Sequence, residues 1–149
     1  MLTRRTVTIG AASSSVVVAT AGAAVAAPGV FTKDGAALGG YDSAAYWTAK
    51  KATMGSAAFS HQWSGVNWLF ASQANRDVFA ADPARYAPGF NGYCPFCLAG
   101  GRLVAGIGGQ WDVHKGKLYL LLSQRIRDDF IMKADYYVDR ATAYWAKLS

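Results

Sequence analysis

The chain has 149 residues, 52% of them hydrophobic and 13% aromatic, a balance that excludes disorder and coiled coil. Its formal charge is +6; without Arg4 and Arg5 of the leader described below, 13 basic and nine acidic residues leave +4. The basic residues are scattered, with only Lys50-Lys51 adjacent in the mature part, so no nucleic acid is expected as a partner. Every acidic residue is Asp, and no Glu is available for paired-carboxylate catalysis.

Residues 1–27 read as a signal peptide. Thr3-Arg4-Arg5-Thr6-Val7 gives a charged start, residues 7–23 a weakly apolar run, and Ala24-Val25-Ala26 a small-x-small cleavage site before Pro28. Paired arginines ahead of such a run resemble a bacterial twin-arginine export signal. The mature protein is therefore expected in the periplasm or another extracytoplasmic space. No later stretch reaches the ~20 apolar residues that span a bilayer, so no stable membrane insertion is expected once the signal is removed.

Residues 28–38 read as an extended lead-in and residues 39–149 as one domain. Gly39-Gly40-Tyr41-Asp42 is a turn, with Asp42 capping a short helix through Thr48. Phe59, His61 and Trp63 alternate with polar residues, Ser64-Gly65 turns the chain, and Val66, Trp68 and Phe70 alternate again. A two-residue loop then pairs Trp63 with Val66, His61 with Trp68 and Phe59 with Phe70, on a core-facing aromatic face. Ser72 caps a helix to about Ala81, stopped by Asp82-Pro83. Arg85 to Tyr93 reads as a loop, followed by a helical turn at Cys94-Pro95-Phe96-Cys97-Leu98-Ala99.

A second hairpin runs from Trp111 to Leu122 around Lys115-Gly116. Trp111, Val113, Leu118, Leu120 and Leu122 form its apolar face; Asp112, His114, Lys117 and Tyr119 form its polar one. From Ser123 the positions Ile126, Phe130, Ala134, Val138, Ala141, Trp145 and Leu148 have helical spacing, as one helix or two broken near Asp135. No internal repeat is read. The fold class is α+β: two β-hairpins packed with short helices and a C-terminal helix, in its simplest form a monomer.

Gly40-Tyr41-Asp42-Ser43-Ala44-Ala45-Tyr46-Trp47 is similar to the opening of exported YHS-domain proteins. So is Phe59 to Tyr86, with Gly65, Phe70, Ser72, Phe79, Pro83 and Tyr86 at familiar intervals. Gly92-Tyr93-Cys94 and Gly116-Lys117-Leu118-Tyr119 extend the resemblance over residues 39–148. In the wider group the resemblance implies small metal-binding modules, whose usual cysteine follows the second strand's phenylalanine. Here that position is Ala71, and the name-giving triplet reads Phe59-Ser60-His61. The exported branch keeps a cysteine after Gly-Tyr, matched by Cys94. Its selenoprotein-like members imply a selenium nucleophile in this segment, matched by Cys97.

Cys94 and Cys97 are the candidate catalytic residues. A Cys-x-x-Cys pair at a helix start sets one sulfur beside unpaired amides and the other one turn further, within reach to resolve a mixed disulfide. Cys94 reads as the activated thiol and Cys97 as the resolving one; the selenocysteine resemblance would reverse the roles. The pair's partner would be a redox or a metal-transfer protein. A second reading is a copper or zinc site of Cys94, Cys97, His61 and His114, with Met54 and Met132 the remaining soft ligands. A third is an inert short-loop disulfide in a non-catalytic interaction module. Singly, His61 reads as a core histidine and His114 as a solvated turn residue. Gly106-Ile107-Gly108-Gly109 lacks the βαβ context of a dinucleotide site.

Overall fold

The computed structural model describes residues 27–148. The signal-peptide reading covers residues 1–27, of which 1–26 lie outside this range. The lead-in is not simply extended: β1 (Thr32–Lys33) and β2 (Ala36–Ala37) pair antiparallel around Asp34-Gly35. A 3-10 turn at Leu38–Gly40 leads into α1 (Ala45–Thr48). The first hairpin is β3 (Ser56–Trp63) and β4 (Val66–Phe70), followed by α2 (Gln73–Ala81) and α3 (Pro83–Tyr86). A second 3-10 turn, Gly89–Gly92, leads into α4 (Pro95–Ala99). The second hairpin is β5 (Ile107–His114) and β6 (Lys117–Leu121), followed by α5 (Gln124–Met132) and α6 (Ala134–Lys147). The α+β architecture closed by a C-terminal helix is thus the observed one, and the helical pattern after Ser123 breaks at Lys133.

The chain contains an internal repeat, contrary to the sequence reading. Each half runs 3-10 turn, short helix, hairpin, helix, helix, and the two agree at several specific positions. Leu38, Gly39 and Gly40 have φ of 57°, 65° and 91°; Phe90, Asn91 and Gly92 have 52°, 54° and 91°. The Gly55 amide donates to the Gly40 carbonyl at 2.8 Å, and that of Gly106 to the Gly92 carbonyl at 2.9 Å. A Cβ on Gly55 would run into the Leu69 backbone and one on Gly106 into that of Leu120, so both close approaches need glycine.

The hairpins share an unusual register. From Ser56 to Ser60 the chain advances four residues while its partner steps once, from Phe70 to Leu69; Ile107 to Trp111 does the same against Leu121 and Leu120. Trp63 does pair with Val66 and His61 with Trp68, but Phe59 falls inside this bulge and Ser56 faces Phe70 instead. Both turns, Ser64-Gly65 and Lys115-Gly116, have positive φ at both residues, the twist that suits a two-residue loop. Ser72 and Ser123 then cap α2 and α5 by accepting from the amides of Asn75 and Ile126. These caps open the same motif twice: Ser72-Gln73, Arg76-Asp77 and Phe79, then Ser123-Gln124, Arg127-Asp128 and Phe130. Phe79 and Phe130 are both fully buried.

The halves diverge at their ends. Pro88 forces Ala87 into an extended conformation and stops α3 after one turn. Its counterpart α6 has no proline and continues to Lys147.

Two apolar clusters result. The first combines Tyr46, Trp68, Phe70 and Phe79 with Leu118 and Leu120. The second holds Cys94, Cys97, Tyr119, Leu121, Phe130 and Ala134. The face of β6 expected to be polar therefore carries buried Tyr119 and Leu121, because α5 and α6 cover it. Between the halves, the Tyr46 hydroxyl donates to the Gly108 carbonyl at 2.8 Å, and the Tyr41 ring occupies the space a Cβ on Gly108 would need.

Equal roles for the two caps have a measurable consequence. Ser72→Ala and Ser123→Ala are each expected to cost about 1 kcal/mol in denaturant unfolding. The double variant is expected to show their sum, because the caps share no partner.

Candidate functional site

Cys94 and Cys97 approach to 3.2 Å and are free thiols. Cys94 immediately precedes α4, and its amide donates to the Val104 carbonyl at 2.8 Å. Pro95 opens the helix at a position where a missing N–H costs nothing. Cys97 follows in the same turn, and Gly100 ends it by donating to the Cys97 carbonyl. The expected spacing of two sulfurs around one short helical turn is therefore met.

The sulfurs are deeply placed, with Cys94 0% and Cys97 1% exposed. Helix α6 packs along α4. Phe96 packs against Tyr137 with tilted rings, centroids 4.8 Å apart, and the Tyr144 ring lies beside Gly101. On the opposite side, Tyr119 and Phe130 close the cluster with centroids 5.6 Å apart. Burial is the main reason the Cys97 thiol is pushed up to about 12. A hydrogen bond to Cys94 and the charge there add to the rise, while the Arg102 cation opposes it. Folding thus favours the protonated form of Cys97.

The histidines stand elsewhere. His61, on β3, is half-buried with its ring 6.1 Å from that of Phe79, in the first cluster. His114, at the end of β5, bonds through Nε2 to Asp135 at 2.7 Å. Lys115 joins the same carboxylate at 2.9 Å, and together they hold the Asp135 carboxyl below the usual carboxylate range. His114 thus has a partner at the hairpin's turn, because α6 starts beside it. The set Cys94, Cys97, His61 and His114 is not assembled. No group of three or more His, Cys or Asp side chains that could hold a metal occurs among the described residues.

Sequence reasoning missed Asp42 as more than a helix cap. Its carboxylate is fully buried and accepts four hydrogen bonds: from the amides of Ala44 and Ala45 at 2.9 and 3.0 Å, the Ala71 amide at 2.9 Å and Asn75 Nδ2 at 2.8 Å. The signal was the parallel between Gly40-Tyr41-Asp42 and Gly92-Tyr93-Cys94.

The chain matches no family model, no curated protein and no solved structure. Among the described residues, no helix is long and apolar enough to cross a membrane.

The raised Cys97 thiol links stability to pH. Folding holds it protonated above its ordinary value of 9.0, so its contribution is complete below that value and lost as pH rises toward about 12. The reduced protein is expected to lose thermal stability between pH 9 and pH 10. Tyr46, also raised by burial from an ordinary 10.0, joins only above that window. Cys97→Ser is expected to flatten the loss in a melting series across it.

Proposed function

We propose that this chain is an exported thiol–disulfide redox protein whose reacting groups are Cys94 and Cys97. The observation that carries this reading is the pair itself: two free, buried thiols at 3.2 Å, either side of one helical turn. A disulfide can close there with little movement, since sulfurs bond at about 2.05 Å.

In the forward direction the Cys94 thiolate attacks a disulfide on the partner. One S–S bond forms, the partner's S–S bond breaks, and its second sulfur leaves as thiolate. That thiolate takes the Cys97 proton, and the Cys97 sulfur attacks Cys94. The Cys94–Cys97 disulfide forms and the remaining partner sulfur is released, taking a proton from solvent. The partner gains the two electrons that the dithiol loses, and relative potentials decide the direction. The resemblance to exported YHS-domain proteins with selenium in this segment favours redox chemistry over a bound metal.

The buried sulfurs impose a condition, because a partner reaches them only when α6 lifts from α4. The start of α6 is tied by Asp135 to His114 and Lys115 at the surface, with the carboxylate exposed and the imidazole half-buried. Asp135→Asn is therefore expected to speed alkylation of the reduced native protein while leaving the first hairpin folded, as hydrogen exchange would show.

The direct test is trapping with oxidised glutathione. Cys97→Ser is expected to accumulate one glutathionyl group on Cys94, read by intact mass, whereas the parent proceeds to its internal disulfide. An unmodified Cys97→Ser protein, even with Asp135 replaced, would contradict the reading. Retention of copper or zinc that is lost on mutating either cysteine would favour the metal alternative.

A further inference from the structure

A cleft of about 380 Å³ lies between the first 3-10 turn and the start of β5. Phe31, Leu38 and Tyr41 form one wall; the backbone from Gly106 to Gly109 forms the other, with exposed Ile107 at its rim. None of these residues belongs to the cysteine cluster. The volume suits a small molecule, whose sites span about 300–1,000 Å³. The glycine wall is fixed in advance, because the Gly106 amide donates to the Gly92 carbonyl and the Tyr46 hydroxyl to that of Gly108. Between Ile107 and Trp111 the bulge bends β5, and Gly108 and Gly109 line the cleft instead of joining the ladder. Lys33 is the one charged side chain among the lining residues described. It is exposed and makes no ion pair among the described residues, and the neighbouring Asp34 lies in the β1–β2 turn outside the lining.

The repeat indicates what kind of group belongs there. Leu38 and Tyr41 correspond to Phe90 and Tyr93 across the two matching turns. In the second half the Trp145 ring packs on both, its centroid 5.7 Å from that of Phe90 and 6.2 Å from that of Tyr93. Helix α3 ends at Tyr86, so the first half supplies no counterpart to Trp145. We infer that the cleft binds a small aromatic acid, its ring against Phe31, Tyr41 and the glycine backbone and its carboxylate on Lys33. Offset or edge-on ring packing suits Phe31 and Tyr41, and glycine lets a flat ring come close to the main chain. The carboxylate gives the unpaired ammonium a charge-assisted partner. Neither cysteine lines the cleft, so binding there is independent of the redox reading.

Three probes with one ring and different charge test this: indole-3-acetate, indole and tryptamine. Each is titrated into the folded protein while the amide resonances of Gly106, Gly108 and Gly109 are followed by NMR. Saturable shifts at these glycines are expected, with indole-3-acetate binding most tightly and tryptamine least. The gap between the two charged probes is expected to be about tenfold, one exposed attraction set against one exposed repulsion. Lys33→Glu is expected to reverse their order, and Ile107→Ala to weaken all three. Both side chains are exposed, so both variants should fold, as unchanged resonances of the first hairpin would show. Shifts that are absent from these glycines, equal affinity for the three probes, or an order untouched by Lys33→Glu would each overturn the inference.

Discussion

The fold depends on one constraint, met twice. A 3-10 turn must reach φ of 91° at its last residue and then accept a hydrogen bond from the glycine that precedes a bulged strand. Glycine alone suits both positions, since a side chain disfavours the first conformation and a Cβ strikes the partner strand at the second. Once Gly40 is tied to Gly55 and Gly92 to Gly106, the residue two positions after each turn glycine is carried inward. In one half that residue is Asp42 and in the other Cys94. The bulge follows from the same tie, because the strand must skip residues before it can resume pairing.

A shared scaffold with different fillings accounts for how the halves divide their work. The first half is closed: the Asp42 carboxylate is satisfied, and α3 ends after one turn at Pro88. The second half replaces the carboxylate with sulfur, adds a second sulfur where the first half has Ala45, and extends its last helix over both. The extension gives the cysteines a dry environment. Burial there raises the Cys97 thiol above its ordinary value.

Much of this architecture was legible in residues. The Ser64-Gly65 and Lys115-Gly116 turns, the Ser72 cap and the Cys94-to-Ala99 turn follow from local rules, and each stands where it was read. The bulges were not legible, since simple alternation carries Phe59 opposite Phe70 and nothing local reports three skipped residues. The burial of Tyr119 and Leu121 depends on α5 and α6 folding back, a tertiary event that alternation along β6 does not encode. The repeat was present in the sequence as Ser-Gln-x-x-Arg-Asp-x-Phe, spelled at Ser72 and again at Ser123. It escaped because the short-helix segments share only Gly-Tyr, and the second half is one residue shorter before its bulge. The candidate pair was legible from Cys-x-x-Cys spacing, whereas its burial and the absence of both histidines from its surroundings needed the fold.

The central claim is that Cys94 and Cys97 interconvert reversibly between dithiol and disulfide in the folded protein. Equilibration of the native chain across a series of glutathione redox buffers, quenched in acid and weighed intact, measures this directly. The expected result is a single transition in which the mass falls by two hydrogens and returns on reversing the buffer, absent in Cys94→Ser and Cys97→Ser. A mass that stays constant across the series, or a disulfide that opens only when the protein unfolds, would contradict it.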